Sequence, residues 1–517
     1  MSTEAAALVL YNANILTMNP RRPRATLVAA KDGKIVRVGT DDDLDLFKGR
    51  SKLIDCEGKT VIPGFNDAHI HIMAYASNLL SVDCSPSSVA SISDIQENIR
   101  EKAERIPRGT WIKGTGYNEF YLAEHRHPNR HDLDLAAPNH PVRLTHRSLH
   151  ACVLNSLGLS LAGITIDMPD PPGGLIDREL DTGQPSGLLF GMTSFINEQV
   201  VPPLSEEEVR QGVKLVNRSL ISSGITSVQD ATVRNGFEQW QMFTGLKRRG
   251  ELAPRVSVMI GLHALDEFEE QGLHYGYGDI ALRLGAVKFT LDETRGQLNL
   301  SQEELNEGVL RAHGAGFQVA IHAVEESTVA AAATALENCV RRSRKGGDLR
   351  HRVEHCSVCP PSLLWRLKAV KALVVTQPAF IYYSGERYLS DVPEAQLPWL
   401  YRIRSFVKSG LKPVASSDCP VVPCDPLMGI YAAVTRKAES GQSLSPKETV
   451  SAEQALEMYT LAGAYASLEE RLKGSIEVGK AADLVVLSAD PTKVVTEELR
   501  GIRVEKTIIN GEVVWER

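Results

Sequence analysis

Over the first sixty residues, apolar positions alternate with polar ones or run in β-branched stretches: "ALVLYNANILTM", "ATLVAAKDGKIVRVG" and "SKLIDCEGKTVIPG". A period of two predicts short strands, and the Asp-Gly and Glu-Gly pairs mark turns. The C-terminal stretches "ADLVVLSAD" and "VEKTIINGEVVWER" have the same texture, with Asn510-Gly511 as a hairpin signal. Between the two ends, apolar runs alternate with helical patterns. Eight runs read as strands: "TVIPGFNDAHIHI", "GITSVQDA", "RVSVMIGL", "LGAVKFTLD", "FQVAIHAV", "RHRVEHC", "LVVTQPA" and "KPVASSD". Helices such as "SEEEVRQGVKLVNRSLISS" and "SQEELNEGVLRAHGA" lie between them. Ser205 and Ser301 each precede a Glu at the third following position, the capping-box spacing.

Eight strands alternating with helices predict an α/β fold, a (β/α)8 TIM barrel with functional residues at the C-terminal strand ends. The strand-rich termini predict a small β-sandwich built from residues 1–60 plus 472–517, leaving 61–471 for the barrel. About 150 residues separate the first two barrel strands, far more than a βα-loop needs. They include "WIKGTGYNEF", "PVRLTHRSLHACVLNS" and the Pro/Gly-rich "MPDPPGGLIDRELDTGQPSG". We read an inserted cap subdomain within 76–222, at the catalytic face.

The predicted strand ends carry the chemistry. His69 and His71 end the first, Lys288 the fourth, His322 the fifth, His355 the sixth and Asp418 the eighth. Residues i and i+2 of a strand point the same way, so His69 and His71 can face the barrel axis together. Imidazole suits Zn2+ and other first-row ions, and Asp418 adds a hard oxygen. His322 and His355, on adjacent strands, can hold a second ion. Lysine cannot ligate as a cation; carboxylated by carbon dioxide, Lys288 becomes an anion able to bridge two ions. Taken singly, each of these residues has an ordinary role, as a hydrogen-bonded histidine, a snorkelling lysine or a turn aspartate. Six of them on five strand ends point to a metal centre.

Composition narrows the class. The chain has 517 residues, 43% hydrophobic and 23% charged, which is ordinary for a globular protein with a large core. A net charge of −7 argues against a nucleic-acid partner, which would need a basic face. The basic "RRSRKGG" at 341–347 reads as a solvated loop. The N-terminal stretch has no basic n-region of a signal peptide, and no apolar run approaches the roughly 20 residues of a membrane span. Eight cysteines in so long a chain are not a disulfide framework. Cys356 and Cys359 lack the second pair that a structural zinc site would need, and read as two partly buried thiols. These features predict a reduced, soluble, cytoplasmic protein acting on a small molecule without a membrane partner, with a homodimer as the default assembly.

At this point the sequence resembles the amidohydrolase superfamily of metal-dependent hydrolases, and within it amidohydrolase family 3. "VIPGFNDAHIHI" resembles the family's Pro-Gly-Phe-x-Asp-x-His-x-His, "GAVKF" its fourth-strand lysine and "VAIHAV" its fifth-strand histidine. "RVEHC" resembles its Arg-x-Glu-His, "SSDCPV" its Ser-Asp-x-Pro-Val, and "GSIEVGKAADLVVL" its return into the small β-domain. The resemblance spans nearly the whole chain. It implies that His69, His71, Lys288, His322, His355 and Asp418 bind one or two divalent ions, Zn2+ first, with Mn2+, Co2+ or Fe as alternatives. Two segments depart from the pattern: Ser148-Leu149-His150 stands where the family has Asp-Gly-His, keeping His150 and Asn155, and Glu325-Glu326 where it has Gly-Asp.

The implied reaction is attack of a metal-activated water on a carbonyl or imine-like carbon. Asp418 would take the water's proton and return it to the leaving nitrogen, and His150 would help polarise the substrate oxygen. Tyr117, Arg147 and Gln377 are candidate substrate contacts, with Asp230 as a further pocket residue. The expected activity is hydrolysis of a non-peptide C–N bond in an amide, cyclic amide or carbamate. The alternatives are a deaminase, disfavoured by Lys288 because such relatives usually lack that lysine, and a non-catalytic barrel scaffold, which would be expected to have lost ligands.

Overall fold

The computed structural model describes residues 8–47, 49, 51–148, 150–171, 173–294, 297–343 and 348–517. Leu149 and residues 344–347 of the basic loop lie outside the described residues.

Eight parallel strands follow one another around a nearly closed barrel, each hydrogen-bonded to the next. They are β1 (Phe65–Ile70), β2 (Ile225–Asp230), β3 (Arg255–Gly261), β4 (Leu282–Thr290), β5 (Val319–Ala323), β6 (Arg352–His355), β7 (Leu373–Thr376) and β8 (Pro413–Ala415). The runs are continuously apolar because parallel barrel strands are buried on both faces; nearly every residue of the eight is buried. Helices intervene, among them Glu206–Ser222 and Gln302–Gly314. The Ser205 and Ser301 hydroxyls accept the backbone N–H groups of Glu208 and Glu304, and those carboxylates accept the serine N–H groups in return.

Closure falls to the segment after β8. The Asp418 N–H donates to the His69 carbonyl, and the His71 N–H to the Cys419 carbonyl, both at 2.9 Å. Buried Asp67 accepts the Ser417 N–H at 3.0 Å and its hydroxyl at 2.5 Å. Burial pushes the Asp67 carboxyl up to about 6. The last barrel segment is thus stitched to the first at the end where the histidines lie.

The first predicted strand is in fact two. Thr60–Pro63 pairs with Leu484–Leu487 and Asn14–Leu16 in another sheet, and only Phe65–Ile70 joins the barrel. Gly64 is the joint. A Cβ there would lie 2.0 Å from Thr226 Oγ1 and 2.4 Å from Thr226 Cγ2, so the backbone passes too close to β2 for any side chain.

Strands from both ends of the chain form two further sheets. One holds Leu8–Tyr11, Leu27–Lys31, Lys34–Gly39 and Lys52–Asp55. The other holds Asn14–Leu16, Arg24–Ala25, Thr60–Pro63, Leu484–Leu487, Val504–Ile509 and Glu512–Glu516. Leu8, Leu10, Val28 and Ile35 from the first share one core with Ile15, Val61, Leu484 and Ile508 from the second. The 510–511 turn has φ of 54° at Asn510 and 74° at Gly511, the positive pair a tight hairpin demands. Buried Arg255, at the start of β3, donates to Asp483 at 2.6 and 2.9 Å and to Asn510 at 2.6 Å, tying barrel to sandwich.

Residues 72–216 form a compact unit of their own. Its six-stranded sheet runs Leu175–Arg178, Pro185–Phe190, Ala151–Leu154, Val142–His146, Ile112–Tyr117 and Val82–Asp83. The helix Ile92–Glu104, opened by a Ser91 capping box, buries Ile92, Ile95 and Ile99 in a core with Leu133, Leu144 and Val153. The Pro/Gly-rich segment supplies the outer hairpin of this sheet. Among the described residues, no helix is long and apolar enough to cross a membrane.

Candidate metal centre

β1 places His69 inside the barrel, and His71 follows one residue past its end. Lys288 sits two residues before the end of β4, His322 lies within β5, His355 closes β6, and Asp418 stands three residues beyond β8. The barrel brings these six together. Asp418 Oδ1 lies 3.2 Å from His71 Nε2 and 3.4 Å from His69 Nε2. Lys288 Nζ is 3.4 Å from His69 Nε2. The His355 ring is centred 4.9 Å from that of His69 and 4.3 Å from that of His322. Donor atoms of His69, His355 and Asp418 all fall within 4.8 Å of one another.

Three of the four histidines share a pattern. His69 Nδ1 lies 2.5 Å from Glu354 Oε2, His71 Nδ1 3.2 Å from Thr232 Oγ1, and His355 Nδ1 2.9 Å from Gln377 Oε1. Each outer nitrogen therefore has an oxygen partner, and each Nε2 is left for the centre. Such partners fix tautomer and ring orientation in metal-ligating histidines. The Nε2 atom of His355 is buried and has no hydrogen-bond partner among the described residues.

Burial lowers the basicity of His69, with the Lys288 charge adding to it, and burial likewise lowers His355. Both are neutral imidazoles near pH 7, the form that binds a cation. Burial brings the Lys288 amine down to about 8. Burial raises the Asp418 carboxyl, but the neighbouring histidines outweigh it and hold the group below the usual carboxylate range. Two donors sit on unusual backbone: φ is 66° at His355 and 58° at Asp418. Such left-handed positions are uncommon outside glycine, and they cluster where geometry is over-determined by function. In β6, regular alternation would send His355 to the face opposite Glu354. The positive φ at His355 and at Cys356 (49°) ends the regular alternation there.

Gln377 is fully buried: its Oε1 accepts from His355, and its Nε2 donates to Ser416 Oγ at 2.9 Å. Asp230 Oδ1 accepts from Asn235 and from the Thr232 N–H. Tyr117, Arg147 and His150 belong to the unit of residues 72–216. Tyr117 is buried in its core with the hydroxyl 3.0 Å from His127 Nδ1, Arg147 is half-buried, and His150 is exposed. Cys356 and Cys359, expected to be partly buried, are fully buried free thiols, because the chain after β6 runs inside the packed core. Sequence reasoning passed over Thr232, Arg352 and Glu354. The last two sit in plain view in "RVEH", where their i, i+2 spacing puts both on one strand face.

A parallel eight-stranded barrel with imidazoles and a carboxylate gathered at the C-terminal strand ends defines a class, the TIM-barrel proteins with a polar centre on the catalytic face. Comparison with known proteins gives the family. The amidohydrolase family profile matches residues 52–515, and the chain belongs to that family. An N-substituted formamide deformylase from Arthrobacter pascens is 31% identical over 549 aligned residues, covering 100% of this chain and 99% of that protein. The crystal structure of a metal-dependent hydrolase from Pyrococcus furiosus is 26% identical with a TM-score of 0.74, covering 94% of this chain and 100% of that one. An atrazine chlorohydrolase from Arthrobacter aurescens TC1, complexed with zinc, shares the fold, at 13% identity and a TM-score of 0.57 over 98% of this chain and 95% of that one.

Proposed function

We propose that this chain is a metal-dependent amidohydrolase that cleaves a non-peptide C–N bond of a small molecule, with linear N-substituted amides such as formamides as the first substrate class. The observation that carries the reading is the convergence of His69, His71, His355 and Asp418 with every outer histidine nitrogen already engaged. The donor set fits a divalent ion. Burial keeps His69 and His355 neutral, a carboxylate lies among the imidazoles, and the buried Nε2 of His355, unpartnered among the described residues, lacks only an acceptor of its lone pair. Lys288 belongs to the same set: a buried amine brought down to about 8 is partly unprotonated near neutrality, and the free amine is the form that carbon dioxide carboxylates. The substrate class rests on the 31% relative, an N-substituted formamide deformylase that spans the whole chain.

When bound, a divalent ion supplies Lewis acidity and an activated water. This chain's residues do the rest. His69, His71 and His355 hold the site with fixed tautomers, and His322 with carboxylated Lys288 would extend it to a second ion. Asp418 Oδ1, 3.2 Å from His71 Nε2, is placed to hold a proton in transit and release it to the leaving nitrogen. The deep position of Lys288, His69 and His355 keeps bulk water from competing at the inner end of the site.

The test is metal analysis of protein purified without chelator, followed by assays of N-substituted formamides, other N-acyl compounds, lactams, hydantoin-like rings and carbamates with bicarbonate present. Bound Zn2+, Mn2+, Co2+ or Fe and release of an amine are expected. Asp418→Asn should lose at least about 100-fold in turnover, the scale of removing one general acid–base group, while keeping most of its metal. Near-normal turnover of that variant would overturn the role of Asp418, and a protein that neither binds metal nor gains activity with it would overturn the reading.

A further inference from the structure

The outer partners of the three histidines are not equivalent. His71 meets a hydroxyl (Thr232) and His355 an amide oxygen (Gln377), both neutral. His69 meets a carboxylate at 2.5 Å. That carboxylate, Glu354, is in turn gripped by Arg352, whose Nε donates to Oε1 and whose Nη2 donates to Oε2 at 2.8 Å. Both side chains are fully buried. Arg352 reaches two further acceptors: Nη1 donates to Gln229 Oε1 at 2.5 Å, and Nη2 to the carbonyl of Ala68 at 2.7 Å. Gln229 is anchored by donating to the Gly463 carbonyl at 2.9 Å. Ala68 immediately precedes His69. The clamp therefore holds His69 twice, by its ring through Glu354 and by its backbone through Ala68.

We infer that Arg352 and Glu354 are positioning residues that lock His69 in the Nδ1–H tautomer and so aim its Nε2 at the centre. A charged acceptor bonds an N–H more strongly than a neutral one and raises the basicity of the opposite nitrogen. Carboxylate–histidine pairs of this kind hold ligand geometry in metal sites, and their loss costs 10–100-fold in metal affinity. The bidentate Arg352–Glu354 pair keeps the carboxylate from rotating off the ring. The affinity consequence rests on the proposed metal-dependent function; the tautomer does not.

Two measurements separate the proposal from that function. In metal-free protein labelled with 15N-histidine, the His69 resonances, identified by their absence in His69→Gln, should show the Nδ1–H tautomer. Glu354→Gln leaves the buried Arg352 charge unpaired and can compromise folding. The informative variant is therefore Arg352→Met/Glu354→Met, which removes both charges together and leaves neither uncompensated. It should remain folded by circular dichroism, yet show His69 as a tautomer mixture or as Nε2–H. Zn2+ affinity by competition with a chromophoric chelator should fall 10–100-fold in the double variant, and by less in Thr232→Val. An unchanged His69 tautomer in the double variant, affinity within threefold of the native protein, or a larger loss in Thr232→Val would overturn the inference. A native protein that binds no Zn2+ would overturn the proposed function, while the tautomer measurement would still decide the role of the clamp.

Discussion

Gly64→Ala tests the joint between sandwich and barrel. The added methyl carbon would stand 2.0 Å from Thr226 Oγ1, 2.4 Å from Cγ2 and 2.7 Å from Cβ. All three contacts are far inside van der Waals range, and Thr226 is buried with little room to yield. Overpacking of this kind costs about 3 kcal/mol, against about 0.5 kcal/mol gained from the stiffer unfolded chain. Thr226→Ala alone removes a buried methyl group, worth about 1 kcal/mol, and a long hydrogen bond to the Phe65 carbonyl at 3.4 Å. In the double variant only the Cβ contact at 2.7 Å remains. The two changes should therefore couple, the double variant being more stable than the sum of the singles by about 1.5 kcal/mol. Urea midpoints of the four proteins at equal slope give the cycle. A single variant as stable as the native protein, or additivity within about 0.5 kcal/mol, would show that the backbone does not pass β2 as closely as described.

Two further outcomes follow from buried charge. The Val319 N–H donates to His351 Nδ1 at 3.0 Å, and burial holds this histidine down at about 3, with His313 adding to it. The unfolded chain takes up this proton first as pH falls through about 6.5, so stability is lost between pH 6.5 and about 3, by up to a few kcal/mol. Plots of urea midpoint against pH should flatten in this window in His351→Gln; an unaltered slope would refute the assignment. Asp483→Ala strands the guanidinium of Arg255, which is 2% exposed, and should cost about 3–5 kcal/mol, whereas Asp483→Asn, which keeps one acceptor, should cost clearly less by the same midpoints.

Much of this molecule can be read from its residues, for reasons that also mark where reading stops. The barrel strands announce themselves because continuous β-branched runs between helical patterns have few other stable uses. The same continuity hides the break at Gly64: with Val61 and Phe65 both buried, no change of period marks the passage from one sheet to another. His69, Lys288 and Asp418 were visible as polar residues that a strand end has no structural reason to carry. The left-handed backbone at His355 is not legible, since no pattern of side chains encodes a positive φ. Glu354 and Arg352 were adjacent to a predicted ligand, but their role lies with His69, Gln229 and Ala68, all on other strands. Gln377 reads from the sequence as a candidate substrate contact, whereas its two hydrogen bonds face His355 and Ser416.

The sheet that holds Asn14–Leu16 and Glu512–Glu516 interleaves the two ends of the chain, with Thr60–Pro63 paired to Leu484–Leu487. During synthesis the first of these strands leaves the ribosome long before the second exists. At the usual rate of elongation the delay is roughly 20–80 s. Throughout it, the edge of Val61 and Ile62 has no partner on that side, while the strand it feeds directly, β1, is waiting to seed the barrel. The nascent protein thus carries an unpaired apolar edge for most of its time on the ribosome. A truncation removing only the last few dozen residues would leave that edge permanently open, so a premature stop near the C-terminus should yield an aggregating chain rather than a slightly shortened enzyme.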